Sequence, residues 1–107
     1  MSLPASTSAL ALALGSTSAV ALGPEVTIPF AAATREQLLE ALRAPGDVVL
    51  DLSGITDFDS AGVQLLLSAR RSVQARGDVL QLQSPSASVR DALAIFGLSP
   101  GFGLAAS

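Results

Sequence analysis

The side chains able to do chemistry crowd into one short stretch, Asp57-Phe58-Asp59-Ser60-Ala61-Gly62. Two carboxylates beside a hydroxyl are the raw material of carboxylate-pair hydrolysis, but that chemistry needs a deep substrate cleft. A chain of 107 residues has little interior to spare for one. Other catalytic sets are excluded by composition: the sequence has no His, Cys, Trp or Tyr, and all six of its cations are Arg. Zinc and most transition-metal sites draw on His or Cys. Ser–His–Asp, Cys–His, Ser–Lys and Schiff-base mechanisms each need a residue that is missing. The expectation is therefore a protein that is not an enzyme and carries no metal and no cofactor. The simplest structural role for Asp59 or Ser60 is the N-cap of a following helix, a position that both residue types favour. Gly62 then falls in the first helical turn, and Asp57 is either a site carboxylate or an ordinary loop acid.

The surrounding chain bounds what such a segment can serve. Half of the residues are apolar, enough for a modest two-layer core and one domain, expected over 9–107 behind a flexible stretch 1–8. A net charge of −3 argues against nucleic-acid binding, which relies on clustered cations. Arg70, Arg71 and Arg76 are read as a solvated helix face. Ala9 to Leu14 and Ser18 to Ala21 loosely imitate a secretory signal. However, no cation precedes them and Gly15-Ser16-Thr17-Ser18 interrupts the apolar run. The run is also too short and broken to cross a bilayer. Together with the lack of Cys, this points to a cytoplasmic location without direct membrane insertion.

Several elements must position the Asp57–Gly62 stretch. Ala9–Leu14 alternates small and large apolar residues, and Ser18–Leu22 and Glu25–Ile28 are β-prone, so the opening third reads as a hairpin or a pair of short strands. Thr34 and Gln37 have capping-box spacing ahead of an apolar stripe of Leu38, Leu39 and Leu42. Val48 to Leu52 is a nearly continuous apolar run, expected as a central strand buried on both faces. A loop from Gly54 leads into the longest helix, with Val63, Leu66, Leu67 and Val73 inward and Gly77 past its end. Val79 to Leu82 reads as a strand. Ser84-Pro85 opens a third helix, with Pro at its first position and Val89, Ala92, Leu93 and Phe96 on its face. Ser99 to Ser107 is a tail rich in Gly, Ala and Ser. The order is β-β-α-β-α-β-α, an α/β fold with a mixed sheet and helices packed on it. Leu50, Leu52, Leu66, Leu67, Val89, Leu93 and Phe96 are expected to share one core.

The run Val48 to Leu67, V-V-L-D-L-S-G-I-T-D-F-D-S-A-G-V-Q-L-L-L, resembles the signature of STAS domains. In that family an apolar strand ends in D-L-S and is followed by D-[Ser/Thr]-[Ser/Thr]-G. The resemblance continues through Ala69-Arg70-Arg71, Arg76-Gly77-Asp78, Ser84-Pro85, Val89, Leu93 and Gly97-Leu98, covering about residues 18–98. It implies a regulatory binding module like the anti-sigma-factor antagonists. Their Ser or Thr after this Asp is phosphorylated by a partner serine kinase that binds the ATP and doubles as the anti-sigma factor. Carried over, Ser60 is the phosphoacceptor, and Asp57, Phe58, Asp59, Ser60, Ala61, Gly62 and Gln64 form the partner-binding face.

A phosphate at a helix N-terminus adds about −1.5 to −2 charge without opposing the helix dipole, so it would repel a partner and leave the fold intact. The chain departs from the antagonist pattern twice. Ala61 replaces the second hydroxyl residue, and G-P-E-V-T places Thr27 where antagonists carry an Asp before the first helix. The resemblance extends to STAS proteins of chemotaxis operons and of phospholipid-transporting ABC complexes, where the module is an adaptor. Three readings therefore stand: a phosphorylation-switched antagonist, a non-phosphorylated adaptor, and a secreted protein whose residues 1–21 are cleaved. A homodimer is compatible with any of them.

Overall fold

The structure, a computed structural model, describes residues 17–104. The stretch 1–8 expected to be flexible, the strand expected over Ala9–Leu14, and residues 1–16 of the segment 1–21 considered for cleavage lie outside the described residues. Within them the chain forms β1 (Thr17–Ala21), β2 (Glu25–Val26), a 3-10 turn (Ile28–Phe30), α1 (Ala31–Ala41), β3 (Asp47–Asp51) and β4 (Asp57–Phe58). It continues through α2 (Ser60–Ala75), β5 (Leu80–Gln83), α3 (Ala87–Ile95) and a second 3-10 turn (Pro100–Phe102). Relative to the expected order, Asp57 and Phe58 are a short strand rather than loop.

One three-stranded sheet has the order β1-β3-β5, and a two-stranded ladder joins β2 to β4. All of these pairings are parallel. Each β-α-β crossover returns its helix to the same side. Leu38 of α1, Leu66, Ala69 and Val73 of α2, and Val89 and Leu93 of α3 meet Val48, Leu50 and Leu52 in a single cluster. β3 is central as expected but is not buried on both faces. Val48 and Leu50 are sealed under the helices, whereas Val49 and Asp51 on the opposite face are half-buried. The described fold is thus two layers, a parallel sheet with three helices on one face.

Local expectations fail where a neighbouring element competes. Thr34 does not cap α1, which begins three residues earlier at Ala31, directly after the turn that Pro29 initiates. Instead Thr34 is buried, and its hydroxyl donates to the Phe30 carbonyl at 3.2 Å. Pro85 is not the first residue of α3. Ser86 is its N-cap, still extended, with its N–H donating to Leu52 O at 3.3 Å. Leu39 (43 %) and Phe96 (55 %) are exposed, and Phe96 does not belong to the core; Leu67 is half-buried. The i, i+7 spacing from Val89 carries Phe96 to the C-cap of α3, one residue past the helix end, where its ring stands exposed.

The solvated arginine face also dissolves. Arg70 lies 4.4 Å above the Phe102 ring and donates to Gly101 O at 2.7 Å, fastening the C-terminal turn to α2. Arg76 spreads its guanidinium over three acceptors: Leu42 O at 2.7 Å, Gly46 O at 2.8 Å and the Asp78 carboxylate at 3.0 Å. Only Arg71 of the three is an ordinary exposed cation.

The D-L-S end of β3 has a local structural cause. The Asp51 carboxylate accepts from the Ser53 N–H at 3.0 Å and from its hydroxyl at 2.7 Å, closing a turn that stops the strand. These bonds, the backbone one first, hold the Asp51 carboxyl below its ordinary value of 3.8. A lowered folded pKa contributes stability above the unfolded value and loses it as pH falls through the folded one. Urea midpoints for wild type should therefore fall more steeply below about pH 4 than those for Asp51→Asn, which keeps an acceptor oxygen but no linked proton. Parallel acid profiles for the two proteins would show that the turn is not coupled to folding.

Candidate functional site

The Asp57–Gly62 segment is built on the β2–β4 ladder, in which Glu25 pairs with Asp57 and Val26 with Phe58. The Pro24 carbonyl accepts from the N–H of Thr56 at 2.8 Å and of Asp57 at 3.3 Å, and the Asp59 N–H donates to Val26 O at 3.3 Å. The chain is thereby held extended up to Asp59, where it turns into α2.

Asp59, not Ser60, is the N-cap. Its backbone is extended, and one carboxylate oxygen accepts from the Ala61 N–H at 2.8 Å. The other oxygen accepts from the Ile28 N–H at 3.1 Å, so this one side chain ties the 3-10 turn to the start of α2. Ser60 is the first residue of the helix and is exposed. With the cap already made by Asp59, the Ser60 hydroxyl is not required to start the helix.

Gly62 has a reason that sequence reasoning missed. It is buried, and a Cβ built on it would stand 2.5 Å from Cε1 and 2.7 Å from Cδ1 of Phe58. The half-buried Phe58 ring lies against the helix where any larger residue would intrude. The spacing Phe58–Gly62 carries this signal, since a helix-opening glycine four residues after an aromatic leaves room for a ring. Phe58 is therefore a packing residue as much as a surface one. Asp57 is exposed opposite the half-buried Glu25, and Gln64 is exposed one turn along α2.

The seven residues expected at the partner face run from β4 into the first turns of α2: Asp57, Ser60 and Gln64 are exposed, Phe58, Asp59 and Ala61 half-buried, and Gly62 buried. Two neighbours were not anticipated: Glu25, and the turn Ile28-Pro29-Phe30, whose apolar side chains stand exposed beside Asp59. Their only sequence signal is an apolar trio with no amphipathic period. Thr27, noted for its place in the antagonist pattern, follows Val26 just past the ladder and accepts the Phe30 N–H through its carbonyl.

Among the described residues no group of three or more acids could hold a metal ion. Two clefts lie elsewhere. One of about 190 Å³ runs between α1 and α2 over Leu38, Leu39, Leu42 and Leu65, and one of about 400 Å³ separates β5 from the C-terminal turn. Neither includes a residue of 57–62. Among the described residues no helix is long and apolar enough to cross a membrane.

Comparison with known proteins agrees with this architecture. No curated protein matches the chain. Among solved structures it is similar to the anti-sigma factor antagonist SpoIIAA in its unphosphorylated form, with a TM-score of 0.66 and 26 % identity. That match covers 78 % of this chain and 75 % of SpoIIAA. The profile of the family described as "Mlab, STAS domain" matches residues 11–103, nearly the whole sequence. A parallel sheet covered by three helices, a D-L-S turn ending its central strand and an Asp-capped second helix thus have one account: the chain belongs to the STAS domain family.

Proposed function

We propose that this chain is a regulatory protein-binding module of the anti-sigma-factor antagonist type, switched by phosphorylation of Ser60. The partner is a serine protein kinase that binds ATP and acts as the anti-sigma factor, and it docks on Asp57, Phe58, Asp59, Ser60, Ala61, Gly62 and Gln64. The observation that carries this reading is the division of labour at the start of α2. Asp59 makes the cap, which leaves the exposed Ser60 hydroxyl available for modification. A phosphate there meets the positive end of the α2 dipole and leaves the fold in place. A docked partner faces that charge added to Asp57 and Asp59, and is released. No step of this cycle asks the chain itself for catalysis, and its expected place is the cytoplasm, with the kinase.

A second reading is favoured by the family profile, which carries the name of MlaB rather than of an antagonist. In it the chain is a non-phosphorylated adaptor subunit of a phospholipid-transporting ABC complex or of a chemosensory assembly. Ser60→Asp separates the two. It should leave the fold intact, since an acid in the first turn is favourable by roughly 0.3–1 kcal/mol, and should sharply reduce recovery of the native partner. Ser60→Ala should bind normally but take up no phosphate. Equal partner recovery with wild type and both variants, with Ser60 unmodified in the cell, would sink the switch and leave the adaptor.

A further inference from the structure

We infer that Ile28 and Phe30 are the apolar anchors of the partner-binding face, and that the partner meets them with an apolar pocket rimmed by Arg or Lys. This rests on the reading of the Asp57–Gln64 segment as a docking surface, and extends it across the β2–β4 ladder to the 3-10 turn. Ile28 is 71 % exposed and Phe30 44 %. Scattered exposed apolar side chains are ordinary on a protein surface. These two differ because they stand on a turn held firmly in place. Pro29 fixes the backbone between them, the Phe30 N–H donates to Thr27 O at 2.9 Å, and the Ile28 N–H donates to the Asp59 carboxylate at 3.1 Å. Large side chains on a preordered turn lose little freedom on docking, which is what makes an anchor effective.

The charges around the turn specify the partner's sign. Glu25 and Asp57 are register partners in a parallel ladder and so lie side by side, and Asp59 follows at the end of the same strand. Three acids thus flank two apolar anchors. The closest cation along the chain, Arg35, lines the cleft between α1 and α2 instead. A pocket with a basic rim is complementary in both respects, and the electrostatic part acts mainly on the rate and specificity of encounter. Because Asp59 holds both the turn and the helix start, the anchors and Ser60 move as one surface, and charge placed on Ser60 falls inside the same contact. Val79 and Ile95 are exposed too, but lie elsewhere in the fold and serve as controls.

The test starts with a photo-reactive residue at Gln64, introduced in the native host, to capture the protein that docks on this face. That protein is purified and titrated calorimetrically against wild type, Ile28→Ser, Phe30→Ser, Ser60→Asp, Val79→Ser and Ile95→Ser, each checked for folding by circular dichroism. The expected result is that Ile28→Ser and Phe30→Ser each weaken binding about tenfold or more, as truncated anchors do, while the two controls stay within about twofold. Raising the ionic strength should weaken wild type more than Asp57→Asn. If Ser60→Asp weakens binding but both turn variants bind like wild type, the anchor inference is overturned and the docking reading survives. If nothing is captured at Gln64, both fall.

Discussion

Leu66→Ala should lower the unfolding free energy by about 2–5 kcal/mol. Leu66 is 1 % exposed and sits in the cluster where α2 faces Leu50 and Leu52 of the sheet and Val89 and Leu93 of α3. Truncation removes the transfer free energy of the lost methyls. It also leaves a hole, because a β-strand and two helices pinned by their own ladders cannot all close in. For a domain whose total stability is about 5–15 kcal/mol, that loss is a sizeable fraction. Urea titration followed by circular dichroism measures it as a fall in midpoint at unchanged slope. Phe96→Ala provides the contrast: its ring is 55 % exposed, and the change should shift the midpoint little. Equal losses from the two variants would mean that the α3 face is wrongly placed.

The second large effect is at Gly62, where two terms of opposite sign compete. In an ordinary helical turn, Gly→Ala stabilises by about 0.5–1 kcal/mol through backbone entropy and helix propensity. Here the new methyl would enter the space of the Phe58 ring, 2.5 Å from Cε1. Overpacking of this kind costs about 1–3 kcal/mol. Phe58 is half-buried, so its ring escapes by swinging outward, which forfeits its packing on the core and reshapes the docking face. Gly62→Ala should therefore destabilise by up to about 2.5 kcal/mol net, the overpacking cost less the propensity gain. The decisive measurement is a double-mutant cycle with Phe58→Leu. Once the ring is gone the steric term disappears, and Gly62→Ala should become neutral or stabilising. A Gly62→Ala penalty that persists in the Phe58→Leu background would show that the ring is not the cause.

These two residues illustrate what is legible in the sequence. The apolar periodicities of α2 and of Val48–Leu52 are long enough to identify the layers and, with the D-L-S and D-S-A-G spacing, the family. Leu66 follows directly from its period. The site segment is legible as well, since Asp59 and Ser60 precede an unmistakable helix. What period alone cannot assign is which of the two makes the cap, because either residue type is suited and the choice depends on where the β2–β4 ladder releases the chain. Thr34 fails for the converse reason: its local capping signal is real, but Pro29 starts the helical turn earlier and leaves the hydroxyl inside. Phe96 matches the α3 face by spacing, yet periodicity says nothing of where the helix ends, and Phe96 is its exposed C-cap. The Ile28–Phe30 turn depends on contacts made across the ladder, which no local window contains, whereas the Phe58–Gly62 contact spans only four residues and is legible as a spacing.

The guanidinium of Arg76 has a bearing on how the chain is made. Leu42 O belongs to the open carbonyls at the C-terminal end of α1, and it is satisfied by a donor 34 positions later in the chain. Gly46 O, in the loop that follows, depends on the same side chain, and the Gly46 N–H donates to Asp78 at 3.1 Å. A nascent chain emerging from the ribosome therefore presents α1 long before it presents the groups that terminate it. Until residues 76–78 are synthesised, Leu42 O at the end of α1 and the Gly46 N–H and C=O before β3 lack these partners. Closing this joint therefore waits for residues 76–78. A lysine in place of Arg76 could not restore the arrangement, because a single ammonium cannot reach three acceptors spread around a planar fork.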